Sequence, residues 1–105
     1  MKSELIAEIL DRGEDDWVDF AEVMSIVRSR SRLEEPAIIA LSVELITEML
    51  SQSSILVGDL LQRGETVAFT PWEGAPRQII ERIQRDLAVL GHRPGIGEIC
   101  WLSTT

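Results

Sequence analysis

Histidine and cysteine, the side chains on which much catalytic and metal chemistry rests, are almost missing from this chain. Its 105 residues contain one cysteine, Cys100, and one histidine, His92. A lone cysteine closes no internal disulfide, so nothing calls for an oxidising compartment and a cytoplasmic location is expected. Zinc needs several Cys or His ligands, which excludes a zinc site. A nucleophile and base would have to be Cys100 and His92. Yet Cys100 lies between Ile99 and Trp101, where a cysteine packs as a small hydrophobe. His92 falls in a loop between Gly91 and Arg93-Pro94. No run approaches the roughly 20 apolar residues of a membrane span. The first residues lack the apolar core of about 7–15 residues that a signal peptide requires, because Glu4, Glu8 and Asp11 interrupt them.

Other chemistries are missing by spacing. Gly95-Ile96-Gly97 has neither the third glycine nor the Lys-Ser/Thr pair of a phosphate loop, and it precedes a strand candidate. Asp11 to Asp16 lacks the alternating ligands and distal glutamate of a calcium loop. Glu14, Asp15, Asp16, Asp19 and Glu22 could serve as general acid and base only if one were desolvated. Such a run beside a glycine reads better as a solvated helix start. No catalytic residue, metal or cofactor is expected, and the chain is read as non-enzymatic.

What is present is an acidic globular composition. Hydrophobic residues make up 45% and charged residues 27%, which suits a folded core in one domain over residues 1–105. The formal net charge of −8 is unevenly spread. Residues 1–22 hold Glu4, Glu8, Asp11, Glu14, Asp15, Asp16, Asp19 and Glu22 against Lys2 and Arg12 only. Arg28, Arg30 and Arg32 follow as a short basic cluster. From Leu33 to Gln62 there is no Lys or Arg, while Glu34, Glu35, Glu44, Glu48 and Asp59 fall there. Acids and bases balance in residues 63–105.

Periodicity gives the elements. Leu5, Ile6, Ile9 and Leu10 predict a short first helix from Glu4, stopped at Gly13. Trp17, Phe20, Ala21, Met24 and Val27 form one helical stripe, predicting a second helix over 16–29 capped by Asp15 or Asp16. Pro36 opens a third helix over 35–51, whose two apolar rows suit a central position. Ile55-Leu56-Val57 and Glu65 to Thr70 read as two strands joined near Gln62–Glu65. The competing reading is a short helix through Val57–Arg63, since Leu56, Leu60 and Leu61 fit a helical period; the hairpin is preferred. Pro76 to Leu90 is a fourth helix, with Glu81 and Arg85 as an i, i+4 pair and Gly91 at its end. Glu98 to Leu102 is a final strand candidate. The fold class is α+β: three N-terminal helices, a hairpin, a further helix and a last strand, winged-helix-like in outline.

Binding functions remain. DNA affinity rests on Lys and Arg, and the third helix, the reading helix of such a fold, offers Glu44 and Glu48 instead. A winged-helix DNA-binding regulator is therefore the alternative, with Arg28, Arg30 and Arg32 as its support. An interfacial membrane helix wants basic residues that the first helix lacks. A protein partner fits better. An acidic surface attracts a basic partner, and aromatic anchors suit interface centres. Trp17 beside Asp15, Asp16 and Asp19 could be such an anchor or core. Trp72 beside Glu73, in a Pro/Gly loop, stands equally between the two. Trp101 is read as core. The candidate contact residues are Asp15, Asp16, Trp17, Asp19, Glu22 and Trp72, with Glu44 and Glu48 extending the patch if exposed.

The run Val67-Ala68-Phe69-Thr70-Pro71-Trp72, the helix Ile79–Leu90, then Gly91-His92-Arg93-Pro94 and Gly97-Glu98-Ile99-Cys100-Trp101-Leu102 resembles a pattern in small acidic bacterial proteins with a winged-helix-like fold. Some of these act as immunity proteins or antitoxins. The resemblance covers the C-terminal third and consists of packing and turn residues, so it implies a fold and carries no functional residue. Taken with the acidic surface, which suits a basic partner, an immunity or antitoxin-type protein is the reading that fits best. The other reading left open is a self-associating structural subunit.

Overall fold

The computed structural model describes residues 2–105. The chain is α+β, with four helices and a four-stranded antiparallel sheet. In chain order these are α1 (Lys2–Asp15), β1 (Val18–Asp19), α2 (Phe20–Ser29), α3 (Glu35–Ser51), β2 (Ile55–Arg63), β3 (Thr66–Pro71), α4 (Pro76–Leu90) and β4 (Trp101–Thr104). The sheet order is β1-β4-β2-β3. No helix among the described residues is long and apolar enough to cross a membrane.

α1 buries Leu5, Ile6 and Ile9. It does not stop at Gly13 but runs on to Asp15. Gly13 serves close approach instead. A Cβ there would collide with the Thr104 Cγ2 methyl, and Thr104 Oγ1 donates a hydrogen bond to the Gly13 carbonyl at 3.2 Å. The glycine is what lets α1 lie against β4.

The second correction is β1, an element with no counterpart in the sequence reading. Val18 pairs with Leu102 and Asp19 with Trp101. The strand takes residues 16–19 away from the helix, so α2 starts at Phe20, and neither Asp15 nor Asp16 is its cap. Asp19 has extended backbone angles and accepts the Glu22 N–H on its side chain, as an N-cap does. Trp17 accordingly leaves the stripe on which Phe20, Met24 and Val27 are buried.

α3 is the central helix, in contact with α1, α2, α4 and β2. It buries Ile38, Ser42, Val43, Leu45, Ile46, Met49 and Leu50. The one buried hydroxyl on it, that of Ser42, is satisfied by the Ile38 carbonyl at 2.7 Å. Residues 55–63 are strand, and Arg63 pairs with Thr66 across a two-residue Gly64-Glu65 turn. A positive φ of 64° at Gly64 alone is the pattern of a type II′ turn. α4 ends on Gly91 in the left-handed region at φ 70°, and its Glu81 pairs with Arg77, not Arg85.

The last strand is shifted from 98–102 to Trp101–Thr104. Glu98 is held in a turn, where its Oε1 accepts the Gly95 N–H at 2.6 Å. β4 lies between β1 and β2, with Val57 opposite Leu102 and Ile55 opposite Thr104. Val18, Ile55, Val57 and Leu102 thus face the helices and are buried. The alternate side chains, among them Leu56, Leu60, Phe69, Val67 and Trp101, share the opposite face. That face is open: Leu56 is 46% and Val67 47% exposed.

Candidate functional site: an acidic aromatic groove

α1 carries the acids of the first segment to its C-terminal end, where Glu14, Asp15 and Asp16 are exposed. The short link to β1 then turns on Asp16, whose Oδ1 accepts the Trp17 N–H at 2.7 Å. β1 registers the chain on β4, and Trp17 comes to share a groove with Trp101. The groove has a volume of about 420 Å³ and is lined by Asp16, Trp17, Asp19, Ala21, Glu22, Ser25, Ile96 and Trp101. An adjoining depression of about 340 Å³ is lined by Gly13, Glu14, Asp15, Asp16, Trp17, Ser103 and Thr104. Asp16 and Trp17 belong to both. Ile96 stands at the rim with 83% of its surface exposed.

Charge in the groove is unequally spent. Glu22 is tied to Arg12 at 3.2 Å. Arg12 is also held by Glu8 at 3.1 Å, and Glu8 in turn takes Arg30 at 2.6 Å. Glu14, Asp15 and Asp16 enter no ion pair among the described residues, so their field projects into solvent beside the two indoles.

The other expected contact residues go elsewhere. Asp19 is 4% exposed. Its Oδ1 accepts the Glu22 N–H at 2.9 Å and its Oδ2 the Gly97 N–H at 2.8 Å. It is the floor of the groove and a structural bolt, which corrects its reading as a surface contact. Glu44 binds Lys2 Nζ at 2.6 Å, and this hydrogen bond, ahead of the neighbouring charges, raises the Lys2 pKa. Lys2 and Asp15 are the two ends of α1, a helix of about 20 Å at 1.5 Å per residue. Glu44, with Glu48 one turn along α3, therefore forms a separate patch and does not extend the first. Trp72 is parked against the core: its Nε1 donates to Asp59 Oδ2 at 2.9 Å, and the Arg82 guanidinium lies 3.7 Å from its ring centroid.

Trp101 and Ile96, with the smaller Ala21 and Ser25, are the groove residues that sequence reasoning missed. The sequence reads Trp101 as core, yet it lies on the sheet face opposite the buried Leu102. Strand alternation beside the buried Cys100 and Leu102 was the available signal. Without β1, nothing set Trp101 near Trp17. The basic cluster is also largely consumed, since Arg28 pairs with Glu35 at 3.1 Å and Arg30 with Glu8.

Cys100 is 1% exposed. Burial, reinforced by the negative charges of Asp19, Asp59 and Asp86, pushes its thiol pKa up and away from the thiolate. A disulfide reagent such as DTNB should leave the native protein unlabelled at mildly alkaline pH and label one thiol per chain in denaturant. Rapid labelling of native protein would contradict the burial. Among the described residues, no three His, Cys, Asp or Glu side chains are grouped to hold a metal ion.

Comparison with known proteins finds no matching family model, no matching curated protein and no matching solved structure.

Proposed function

We propose that this chain is a non-enzymatic, cytoplasmic protein-binding module whose Trp17–Trp101 groove takes a basic segment of a partner. An immunity or antitoxin-type protein would hold a cationic toxin in this way. The observation that carries the reading is the coincidence of unpaired Asp16 with two partly exposed indoles in one groove, with unpaired Asp15 in the depression that adjoins it. Carboxylates without a cation attract arginine and lysine at long range and raise association rates. An indole face then gives the same cation a second favourable contact, worth about 0.5–1 kcal/mol at an exposed site. Apolar Ile96 and Trp101 suit the aliphatic stem of that side chain.

A second reading is favoured by the element order. Helix, strand, two helices and a hairpin form a winged-helix-like succession, with β2–β3 as the wing and α4 and β4 added. Such a fold would suit a DNA-binding regulator. The charge map weighs against it, because α3 presents Glu44 and Glu48 and two of the three clustered arginines are paired with acids.

Fluorescence anisotropy with a labelled arginine- and leucine-containing peptide and with a labelled DNA duplex separates the two. At low salt the peptide should bind, and Asp15→Lys with Asp16→Lys should weaken it about tenfold or more. The duplex should not bind. Unchanged peptide affinity in the double variant, or DNA binding that falls steeply with salt, would overturn the proposed role.

A further inference from the structure

We propose that β3 is a dimerisation edge, along which a second copy of this chain adds antiparallel about a two-fold axis through Ala68. The inference rests on the sheet, not on the groove. β3 ends the sheet order, and five of its six residues are exposed and the other half-buried. Native edges are blunted by charges, bulges, brevity or a covering element. β1, the opposite edge, has only two residues. Thr66 to Thr70 carries no charge and is rich in strand-forming types, and only Pro71 at its end acts as a stop.

The register identifies which backbone groups are free. A two-residue turn makes Arg63–Thr66 a hydrogen-bonded pair, and bonded pairs alternate along an antiparallel ladder. Ala68 and Thr70 therefore bond inward, to Leu61 and Asp59. The same alternation continues past the strand, where Trp72 N–H donates to the Val57 carbonyl at 2.8 Å. Val67, Phe69 and Pro71 consequently turn their backbone outward. Pro71 sits where its missing N–H costs the sheet nothing. The outward groups, Val67 and Phe69, are the two residues that a two-fold through Ala68 sets opposite each other. Each would exchange both its N–H and C=O with its counterpart, and Val67 would lie against the aromatic ring of the second copy's Phe69, a favourable cross-strand pairing.

Charge permits a second copy here. The net charge of −8 comes wholly from residues 1–62, because in residues 63–105 the arginines match the acids in number. Two copies joined at β3 meet through a neutral region, with their acidic α1 ends apart. The pairing would also extend the open apolar face of Leu60, Phe69 and Val67 across both sheets.

Sedimentation velocity over a wide concentration range tests this on the intact protein. The wild-type mass should rise toward twice the monomer mass. Val67→Pro removes an outward N–H that the β2–β3 ladder does not use, so it should stay monomeric with an unchanged circular dichroism spectrum. Val67→Lys, which leaves the backbone intact and places like charges near the axis, should also be monomeric. A wild-type chain that remains monomeric throughout, or variants that dimerise as the wild type does, would overturn the proposal. So would a monomer that takes up an unrelated extended peptide along β3.

Discussion

Replacing Asp19 with alanine is expected to lower the unfolding free energy by about 2–4 kcal/mol, the sum of a lost helix cap and an orphaned buried donor. Its carboxylate joins distant parts of the chain. One oxygen caps α2 at Glu22 N–H, and the other holds Gly97 N–H in the loop before β4. Asp19 is also one of only two residues of β1, and the next residue, Phe20, donates its N–H to the Cys100 carbonyl at 3.1 Å. Losing the side chain frees the α2 N-terminus and leaves Gly97 N–H unpaired. Asp19→Asn should fall between, because its amide oxygen can accept one of the two donors while its NH₂ opposes the other. Asp16→Ala, only a few residues away but exposed, should stay within about 0.5 kcal/mol of wild type. Urea unfolding of the three variants measures this. Equal stabilities for Asp19→Ala and Asp16→Ala would return Asp19 to the surface role inferred from sequence.

Gly58→Ala is expected to cost about 3 kcal/mol or more, at or beyond the upper end for overpacking. Gly58 lies between Trp101 and Pro71 in one cross-strand row. An added Cβ would fall on the Thr70 carbonyl oxygen and 2.7 Å from Pro71 Cα. Both are backbone atoms of the neighbouring strand, so no side-chain rotation relieves the clash, and β2 and β3 must part. Gly64→Ala offers the contrast. Nothing lies within 4 Å of its Cβ position, but its φ of +64° leaves a cost of about 1–2 kcal/mol from backbone strain. Thermal unfolding should rank Gly58→Ala well below Gly64→Ala. The reverse order would mean that the two strands can slide apart freely.

The elements that were legible in the sequence are those with a long period or a stereochemical marker. α3 shows two apolar rows behind Pro36, α4 is framed by Pro76 and Gly91, and Gly64 marks the hairpin turn. β1 was illegible because two residues have no period. Val18 and Asp19 become a strand only through Leu102 and Trp101, from the far end of the chain. Trp17 falls by coincidence at helical spacing from Phe20, Ala21 and Met24, which hid the break. Gly13 is ambiguous in sequence, because a glycine that admits Thr104 looks the same there as one that ends a helix. The groove likewise joins local residues to distant ones. Asp15, Asp16 and Trp17 are local neighbours and could be grouped, whereas Trp101 and Ile96 join them through β1–β4 pairing. Asp19 has the same residue type as Asp16, and its cap on α2 and its bond to the Gly97 N–H, both set by β1, distinguish their roles.

The three tryptophans allow a direct test of the groove. In a nitrogen-15 NMR titration with the arginine- and leucine-containing peptide, each indole N–H is a separate reporter. Trp72 serves as the internal reference, since its indole N–H is already bonded to Asp59. The Trp17 and Trp101 signals should move together while Trp72 stays still. The response should vanish in Asp15→Lys/Asp16→Lys and persist in Glu44→Lys/Glu48→Lys, which changes the net charge equally at the separate patch. Equal loss in both double variants, or movement of Trp72 alone, would contradict a specific site at Trp17 and Trp101.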